Sequence, residues 1–556
     1  MAATAIVSVD GPVLAVSDLT IPLPSRADRR HAVENVSFQV DKGETVCLLG
    51  ESGSGKSMIA SAIMGLLPSG LRPSVGSIKL EGHELVGLSQ NALRPLRGPS
   101  MAMVFQEPMT ALNPVVTCGE QIDEMLRQHV RMSPKARYRT ITEMMARVHL
   151  PDPDRLYRSY PHQLSGGQRQ RIVIAIALVL KPVLLICDEP TTALDVTTQA
   201  EVLKLIRELQ AENGTAVLFI THDIGVVADI ADRVVVLRLG QMVESGRKDD
   251  VLMRPHHPYT RSLIAAVPPL IPKVRPGRPI AAALLSATEI SKSFVRGHWP
   301  ARKTSIAAVK EVSLSVGAGE TVGIVGESGS GKSTFARCVA RLAEPSGGTI
   351  IVNSRNVTHL QNRQLVPARR DVQLIFQDPY RSLNPRQTVG ASIVEGPLNF
   401  GVSISAAWQR AEELMKLVRL QPDALRRYPN EFSGGQRQRI AIARALACEP
   451  RLIVADEPVS ALDVSVQAQI LELLEDIQAR TGVGILFITH DLRVASQLCD
   501  RIVVMRQGQV VEQGATADVF GSPKDDYTRQ LIQAAPGQGF AFPGQGSGFG
   551  GETSPK

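Results

Sequence analysis

The chain has 556 residues, of which 44% are hydrophobic and 21% are charged. This composition is typical of a soluble globular protein with ample apolar surface to bury. The net charge of +7 comes from basic residues spread along the chain, so we interpret it as solvated surface rather than as a nucleic-acid or lipid interface.

The six cysteines lie far apart without a Cys-x-x-Cys pair, which favours neither a disulfide framework nor a zinc site and fits a reducing cytosol. No segment approaches the roughly 20 apolar residues that cross a bilayer, and the N-terminus lacks a basic leader before a long apolar run. If the protein acts at a membrane, other subunits are expected to supply the spanning helices.

The first chemical motif is a glycine-rich loop between a short apolar strand and an apolar-periodic helix, and it occurs twice. Glycines let backbone N–H groups turn toward a phosphate, and the helix N-terminus adds positive potential. The motif's lysine reaches the β- and γ-phosphates, and its serine can bind Mg²⁺. The predicted phosphate-binding residues are Gly50, Glu51, Ser52, Gly53, Ser54, Gly55, Lys56 and Ser57, then Gly326, Glu327, Ser328, Gly329, Ser330, Gly331, Lys332 and Ser333.

A glutamine follows the next apolar strand in each copy, as Gln106 in MVFQEP and Gln377 in LIFQDP. A single glutamine in such a place is usually a surface residue. Its recurrence in the same order as the other motifs indicates a role in the nucleotide and metal site.

The turns LSGGQ and FSGGQ each open an apolar helix, 23 residues before an Asp-Glu pair. Their amides and serine hydroxyls form a second anion site, whereas one domain needs only one site for a terminal phosphate. We therefore predict that each turn covers nucleotide held by the opposite copy; the alternative is a serine N-cap followed by flexible glycines. The predicted residues are Ser165, Gly167, Gln168, Ser433, Gly435 and Gln436.

An Asp-Glu pair ends one apolar run in each copy, and Thr-His-Asp ends the next. The aspartate is predicted to hold Mg²⁺ through water, and the glutamate to activate the attacking water as general base. The alternative for the acidic pair is a helix cap, and for the histidine a structural role. These residues are Asp188, Glu189 and His222 in the first copy and Asp456, Glu457 and His490 in the second.

The equivalent motifs are separated by 276 residues at the loop lysines and by 268 from the SGGQ turns onward. Such a spacing indicates two copies of one fold rather than a short solenoid repeat. The spacer between them is rich in proline, which predicts a semi-rigid linker, and the C-terminus is rich in glycine, proline and serine, which predicts a disordered tail. The predicted segments are domains 1–266 and 285–535, linker 267–284 and tail 536–556.

Together these motifs resemble a protein with two ATP-binding cassette domains, over nearly all of residues 10–535. The glycine-rich loops match Walker A loops, the SGGQ turns match signature motifs, and the glutamines match Q-loops. TALD ending at Asp195 and SALD ending at Asp463 match D-loops, and the two histidines match switch histidines. The resemblance implies an α/β fold with two P-loop NTPase domains in tandem, each with a RecA-like core, an antiparallel β subdomain and a helical subdomain.

Finer features resemble the oligopeptide, dipeptide and nickel importer family: FQEPMTALNP, FQDPYRSLNP, and HHPYTRSLIAAVPP within the segment 253–272. This resemblance implies ATP and Mg²⁺ as cofactors and import of peptides or related solutes at the cytoplasmic face of a bacterial inner membrane. The implied partners are two permeases and a solute-binding protein, with no nucleic acid. The helical segments 115–163 and 386–431 would pass motion to the permeases.

Two alternatives remain beside this interpretation. A soluble twin-cassette ATPase acting on ribosomes or nucleic acid usually carries a long charged helical linker, which this chain lacks. A phosphotransferase with a P-loop does not explain the SGGQ turns. The cargo stays open among peptides, nickel, glutathione, opines and other small solutes.

Two departures from the importer pattern limit the resemblance. Members often have a cysteine cluster after the HPYT segment, whereas residues 267–279 contain no cysteine, so no iron-sulfur cluster is expected. Phe294 occupies the place of an aromatic residue that stacks on adenine, but the first copy has Leu23 there. Because stacking of a base on an aromatic ring contributes about 1–3 kcal/mol, weaker ATP binding is expected at the first site.

Overall fold

Two copies of one arrangement of sheets and helices follow each other along the chain. The computed structural model describes residues 11–25, 29–106, 111–191, 194–273, 283–296, 304–460, 462–540 and 542–543. It divides into two compact units, and the chain passes from the first to the second between Ala265 and Ala266. Each unit contains one antiparallel and one mostly parallel sheet.

The first unit has ten strands: β1 (Leu14–Pro22), β2 (His31–Val40), β3 (Thr45–Leu49), β4 (Val75–Leu80), β5 (His83–Glu84), β6 (Met101–Val104), β7 (Leu184–Asp188), β8 (Ala216–Thr221), β9 (Arg233–Arg238) and β10 (Gln241–Arg247). The antiparallel sheet has the order β2-β1-β4-β5, and the other sheet has the order β10-β9-β3-β8-β7-β6. Only β10 is antiparallel in the larger sheet.

The described helices of the first unit are α1 (Lys56–Ile63), α2 (Gln90–Leu93), α3 (Cys118–His129), α4 (Pro134–Arg147), α5 (Pro153–Tyr157), α6 (Gly166–Leu178), α7 (Val196–Asn213), α8 (Ile224–Ile230), α9 (Lys248–Met253) and α10 (Pro258–Ala265). Asp195 and the first two residues of α7 group with the second unit. Helices α3 to α5 form the helical segment between β6 and α6. Thr117 starts it with a capping box, since its side chain accepts from the Glu120 N–H while Glu120 reaches back.

The second unit repeats the strands as β11 (Ala283–Arg296), β12 (Thr304–Gly317), β13 (Thr321–Val325), β14 (Gly347–Val352), β15 (Arg355–Asn356), β16 (Val372–Ile375), β17 (Leu452–Asp456), β18 (Gly484–Ile488), β19 (Arg501–Arg506) and β20 (Gln509–Ala515). Its sheets have the orders β12-β11-β14-β15 and β16-β17-β18-β13-β19-β20, which match the first unit strand for strand.

Its helices are α11 (Lys332–Val339), α12 (Val366–Asp371), α13 (Pro379–Ser382), α14 (Val389–Asn399), α15 (Ile404–Leu417), α16 (Gly434–Leu446), α17 (Val464–Thr481), α18 (Leu492–Leu498), α19 (Thr516–Gly521) and α20 (Asp526–Gln533). Short 3₁₀ turns lie at Pro422–Arg426 and Pro429–Glu431, where the first unit has α5 and the turn Pro161–Gln163.

The central strands of each larger sheet are buried on both faces because helices cover them. Every residue of β3, β7 and β8 is buried, and the same holds for β13, β17 and β18. Continuous apolar runs of this kind are typical of parallel strands. The carboxyl ends of parallel strands gather at one edge of the sheet, where ligands bind in open α/β folds. The motif loops of each unit therefore meet at that edge.

Part of the predicted linker packs against the second unit. Arg493 Nη1 donates to Pro268 O at 3.2 Å, and Ser496 Oγ donates to Pro269 O at 2.9 Å. The Gln497 amide donates to Pro269 O and Ile271 O at 3.0 and 2.7 Å. Prolines lack an N–H but keep their carbonyl, so these side chains of α18 bind the segment through its acceptors. Residues 274–282, like most of the predicted tail, lie outside the described residues.

No helix in the described ranges is both long enough and apolar enough to span a membrane.

Candidate active site

The glycine-rich loops connect β3 to α1 and β13 to α11, with a left-handed glycine at each helix start. Gly55 has φ +99°, and a Cβ there would lie 2.6 Å from Ala32 O. Gly331 has φ +102°, and a Cβ would lie 2.4 Å from Ala308 O. Only glycine fits such a backbone at this distance from a carbonyl. The loop thus enters the helix with its N–H groups at the carboxyl edge of the sheet.

The loop lysines are buried and curl back over their own loops. Lys56 Nζ donates to Gly50 O at 2.6 Å and to Glu51 O at 2.9 Å. Lys332 Nζ makes the equivalent contacts with Gly326 O and Glu327 O, both at 2.7 Å. Burial lowers the pKa of Lys332 despite the carboxylates around it. An ammonium held in this way compensates the negative charge of a phosphate entering the loop.

The loop serines join the aspartates that end β7 and β17. Ser57 Oγ donates to Asp188 Oδ1 at 3.0 Å, and Ser333 Oγ donates to Asp456 Oδ1 at 2.8 Å. Burial raises the pKa of Asp188 to about 6, while the Ser57 hydrogen bond acts in the opposite direction. Burial likewise raises the pKa of Asp456. A hydroxyl and a carboxylate at this separation form a donor set that fits Mg²⁺, which prefers oxygen ligands.

The buried charge of Asp188 is expected to destabilise the first unit when neither metal nor nucleotide is bound. When folding raises the pKa of an acid, the folded protein loses stability as pH rises from the pKa of the unfolded state to that of the folded state. The cost of ionising Asp188 is therefore fully present at neutral pH. We expect Asp188→Asn to raise the free energy of unfolding at pH 7.5 by on the order of 3 kcal/mol, and by less at pH 5. Calorimetry of nucleotide-free protein in a metal chelator measures this difference. An equal gain at both pH values would contradict the ionisation argument.

The glutamates that follow the aspartates lie between the glutamine and the histidine of their unit. Gln106 Nε2 donates to Glu189 Oε2 at 2.9 Å, and His222 Nδ1 lies 3.1 Å from Glu189 Oε1. Glu189 has φ +47°, a conformation that costs energy in a residue with a side chain and is concentrated at functional sites. The carboxylate is therefore held on both oxygens at the carboxyl edge of the sheet.

The second unit brings the same three residue types together, but both partners lie at one carboxylate oxygen. Gln377 Nε2 donates to Glu457 Oε2 at 2.8 Å, and His490 Nδ1 lies 3.3 Å from the same oxygen. Burial alone would raise the pKa of Glu457, but the hydrogen bond and charge of His490, with the charge of Lys332, hold it below its usual value. Burial alone would lower the pKa of His490, yet Glu457 raises it. Glu457 therefore remains an ionised acceptor, as a general base must be.

The signature turns cap their own helices. Ser165 Oγ accepts from the Gln168 N–H at 3.3 Å, while Gln168 Oε1 accepts from the Ser165 N–H at 3.1 Å. Ser433 and Gln436 form the same capping box. Among the described residues, no signature residue hydrogen-bonds to the phosphate loop of its own unit. Ser165 and Ser433 therefore act as helix N-caps, as the alternative interpretation expected. That each turn also covers the nucleotide of the other copy stays a prediction.

The glycines of the signature turns lie against the next helix. A Cβ on Gly167 would lie 2.6 Å from Thr198 Cγ2, and one on Gly435 would lie 2.3 Å from Val466 Cγ1. These positions therefore require the smallest residue. D-loop residues 192, 193 and 461 lie outside the described ranges.

Phe294 and Leu23 differ in their surroundings. Phe294 lies in β11 with 48% of its surface exposed and the Lys292 ammonium 5.3 Å from the ring centroid. Leu23 packs against the core of the first unit. Stacking of adenine on Phe294 remains a prediction, as does weaker binding at the first site.

Sequence reasoning missed a tyrosine that supports each phosphate loop. Tyr259 in the HPYT segment accepts a hydrogen bond from the Glu51 N–H at 3.3 Å, and Tyr527 accepts from the Glu327 N–H at 3.0 Å. Burial raises the pKa of Tyr527 to about 12, so it stays protonated. The shared YTR sequence was visible in both copies, but nothing in it indicated contact with a loop about 200 residues earlier.

Replacing both tyrosines by phenylalanine is expected to leave two loop N–H groups without their acceptor. An unsatisfied polar group of this kind costs about 1–3 kcal/mol, so we expect the ATP concentration for half-maximal hydrolysis to rise several-fold with a smaller change in kcat. Steady-state kinetics measure both. Tyr138→Phe, which removes a hydroxyl bound to Asp154, is the control. Unchanged kinetics in the double variant would contradict a supporting role.

The comparisons with known proteins agree with this geometry. The family described as ABC transporter matches residues 33–192 and 309–460. The chain belongs to the ABC transporter family. The prediction of two cassette domains is thereby confirmed, and the protein is an ATP-binding subunit that hydrolyses ATP. The predicted fold class is confirmed as well.

A second match places this ABC protein more finely within the family. The oligopeptide/dipeptide transporter C-terminal region matches residues 243–295. The chain is 46% identical over 557 residues to the glutathione import ATP-binding protein GsiA of Salmonella choleraesuis (strain SC-B67), with 94% of this chain and 89% of the relative covered. GsiA of Escherichia coli (strain K12) is also 46% identical, with 95% and 90% covered. The predicted resemblance to the oligopeptide branch is confirmed, and the ribosome or nucleic-acid alternative gains no support.

One solved structure that this chain resembles is the dimeric ATP-binding cassette MJ0796 bound to ADP and Pi. It is 32% identical, covers 42% of this chain and 98% of its own, and has a TM-score of 0.38.

Proposed function

We propose that this chain powers a bacterial importer for a small peptide or peptide-like solute, and that glutathione is the solute to test first. The observation that carries the proposal is the oligopeptide-type C-terminal region at 243–295, together with a phosphate loop, an Asp-Glu pair, a glutamine and a histidine that meet in each unit. Relatives named for glutathione import, 46% identical over 94% of the chain, support the choice of solute.

In the proposed reaction, each lysine neutralises phosphate charge while each glutamate accepts a proton from the attacking water. Mg²⁺, when bound, would be held by Ser57 and Asp188, and by Ser333 and Asp456, and would neutralise charge on the β- and γ-phosphates. Gln106 and Gln377, which we also predicted as metal ligands, hydrogen-bond to the glutamates and so connect the metal side of each site to its base.

The proposed sites are composite. The first phosphate loop, with Glu189 and His222, would be completed by Ser433, Gly435 and Gln436, and the second by the equivalent turn at 165–168. In the part of the chain that the structure describes, the signature residues make no hydrogen bond to the phosphate loop of their own unit, which supports a partner phosphate from the other copy. The two units would then close on each other when ATP binds and separate after hydrolysis. Each closure would do mechanical work on a partner subunit.

The partners we propose are two membrane permeases, which bind the helical segments, and a solute-binding protein. The ATPase would lie at the cytoplasmic face of the inner membrane. In this proposal the permeases provide the pathway for the solute, and solute choice lies in them and in the solute-binding protein.

Uptake of labelled glutathione by cells that lack this chain tests the proposal. We expect the wild-type chain, expressed from a plasmid, to restore uptake, and the Glu189→Gln/Glu457→Gln double variant at equal abundance to fail. Uptake of a labelled dipeptide in the same cells is the matched control. If the chain restores uptake of the dipeptide but not of glutathione, the dipeptide replaces glutathione as the proposed solute. If it restores neither although ATPase activity is intact, the proposal of a peptide-like solute is contradicted.

A further inference from the structure

A cavity of about 400 Å³ lies in the first unit at the edge of the larger sheet opposite the phosphate loop. Its lining includes Lys42, Val183 and Gly214, which lie just before β3, β7 and β8. The phosphate loop follows the other end of β3, about 17 Å away at about 3.3 Å per residue. The opposite wall comes from the antiparallel sheet. The cavity is therefore separate from the nucleotide site.

Three lysines dominate the charge of this cavity. Lys42, Lys79 and Lys181 line it together with one acid, Glu81. Within the part of the chain that the structure describes, none of the three ammonium groups forms an ion pair or a side-chain hydrogen bond. Like charges around one concavity focus a positive potential into it. A volume of about 400 Å³ also falls in the range of about 300–1,000 Å³ for small-molecule sites.

The second unit has the same backbone at these positions but not the charge. Lys181 and its counterpart Glu449 have φ +53° and +52°, and Glu81 and Asn353 have φ +47° and +48°. Lys79 lies opposite Ala15 in β1, and its counterpart Ile351 lies opposite Ser286 in β11. The turn that holds Lys42 in the first copy holds Ala318 in the second.

All three lysines are thus absent from the second unit, and one is replaced by an acid. The second unit has the same fold and the same nucleotide-site residues without these lysines. Neither the fold nor the nucleotide site therefore requires them. The concentration of unpaired charge in one copy needs an explanation that the ATPase reaction does not supply.

We propose that this cavity binds a small organic anion with two or more negative charges, carried by carboxylates or a phosphate. Lysine ammonium groups are flexible point charges, so they suit anions of several shapes rather than one planar group. Because the Glu81 carboxylate also lines the cavity, a ligand with a hydrogen-bond donor facing Glu81 is favoured over one without. The site belongs to the first unit alone, so one ligand binds per chain.

Calorimetric titration of the full chain with citrate, and separately with glucose 6-phosphate, tests the proposal. ADP at saturating concentration without Mg²⁺ keeps both probes out of the phosphate loops. We expect at least one probe to bind once per chain, with a Kd below about 1 mM, and more weakly as salt increases. The stronger probe identifies carboxylate or phosphate as the preferred group.

Lys79→Ala/Lys181→Ala is the test variant, and Lys204→Ala/Arg207→Ala is the control, which loses the same charge at two exposed positions of α7. We expect the test variant to bind about tenfold more weakly or worse and the control to bind as the wild type does, with ATP hydrolysis unchanged in both. Absence of saturable binding by either probe, a stoichiometry of two, or equal weakening in test and control variants would each overturn the proposal.

Discussion

Glu189→Gln combined with Glu457→Gln is expected to reduce ATP hydrolysis by about 10²–10⁴-fold, the usual contribution of a general base, while ATP still binds. Each glutamate is held by a glutamine amide and a histidine nitrogen, at 2.9 and 3.1 Å in the first unit. Glutamine keeps the size of the side chain but cannot accept the proton. The double variant therefore loses rate in the hydrolysis step, while ATP binding through the phosphate contacts of Lys56 and Lys332 is kept.

Phosphate release and equilibrium ATP binding, measured on the same preparation, separate these effects. The single variants show whether the two sites contribute equally. Glu143→Gln, an exposed helix residue paired with Arg139, is the matched control and should hydrolyse ATP like the wild type. Retention of more than about a tenth of the rate in the double variant would be incompatible with the role of base given to these residues.

Ser165→Arg and Ser433→Arg are each expected to abolish hydrolysis at one of the two sites. Arginine fills the anion site at the helix N-terminus and places a charged side chain where a phosphate would lie. Loss of the serine cap also costs about 1 kcal/mol of helix stability, so thermal unfolding of each variant must be measured. Serine→alanine at the same positions is the matched control, because it loses the cap without adding bulk or charge. Equal rates in alanine and arginine variants would show that only the cap matters.

Much of each candidate site follows from the order of motifs along the chain. Asp188, Glu189 and His222 end apolar runs that are parallel neighbours in one sheet, and carboxyl ends of such strands meet at one edge. Gln106, 83 residues before Glu189, was predicted to belong to the nucleotide and metal site, and in the structure its amide hydrogen-bonds to Glu189. The two-copy fold was predictable for the same reason, since strand and helix periodicities repeat with the motifs.

Contacts that depend on surface shape were not predictable. The YTR sequence gave no indication that Tyr259 accepts from the Glu51 N–H, because the partner is a backbone group with no sequence signal. Proline content predicted a semi-rigid linker but not that Arg493 and Ser496 bind its carbonyls. Lys42, Lys79 and Lys181 are isolated charges along the chain, and only the packing of two sheets places them around one cavity.

The most direct test of cooperation between the two copies is a pair of substitutions in a chain with one working base. In a Glu457→Gln background, only the site with Lys56 and Glu189 hydrolyses ATP. We predict that adding Ser433→Arg removes the remaining phosphate release, whereas adding Ser165→Arg leaves it unchanged. The opposite pattern, loss with Ser165→Arg and survival with Ser433→Arg, would mean that each copy hydrolyses ATP with its own signature turn.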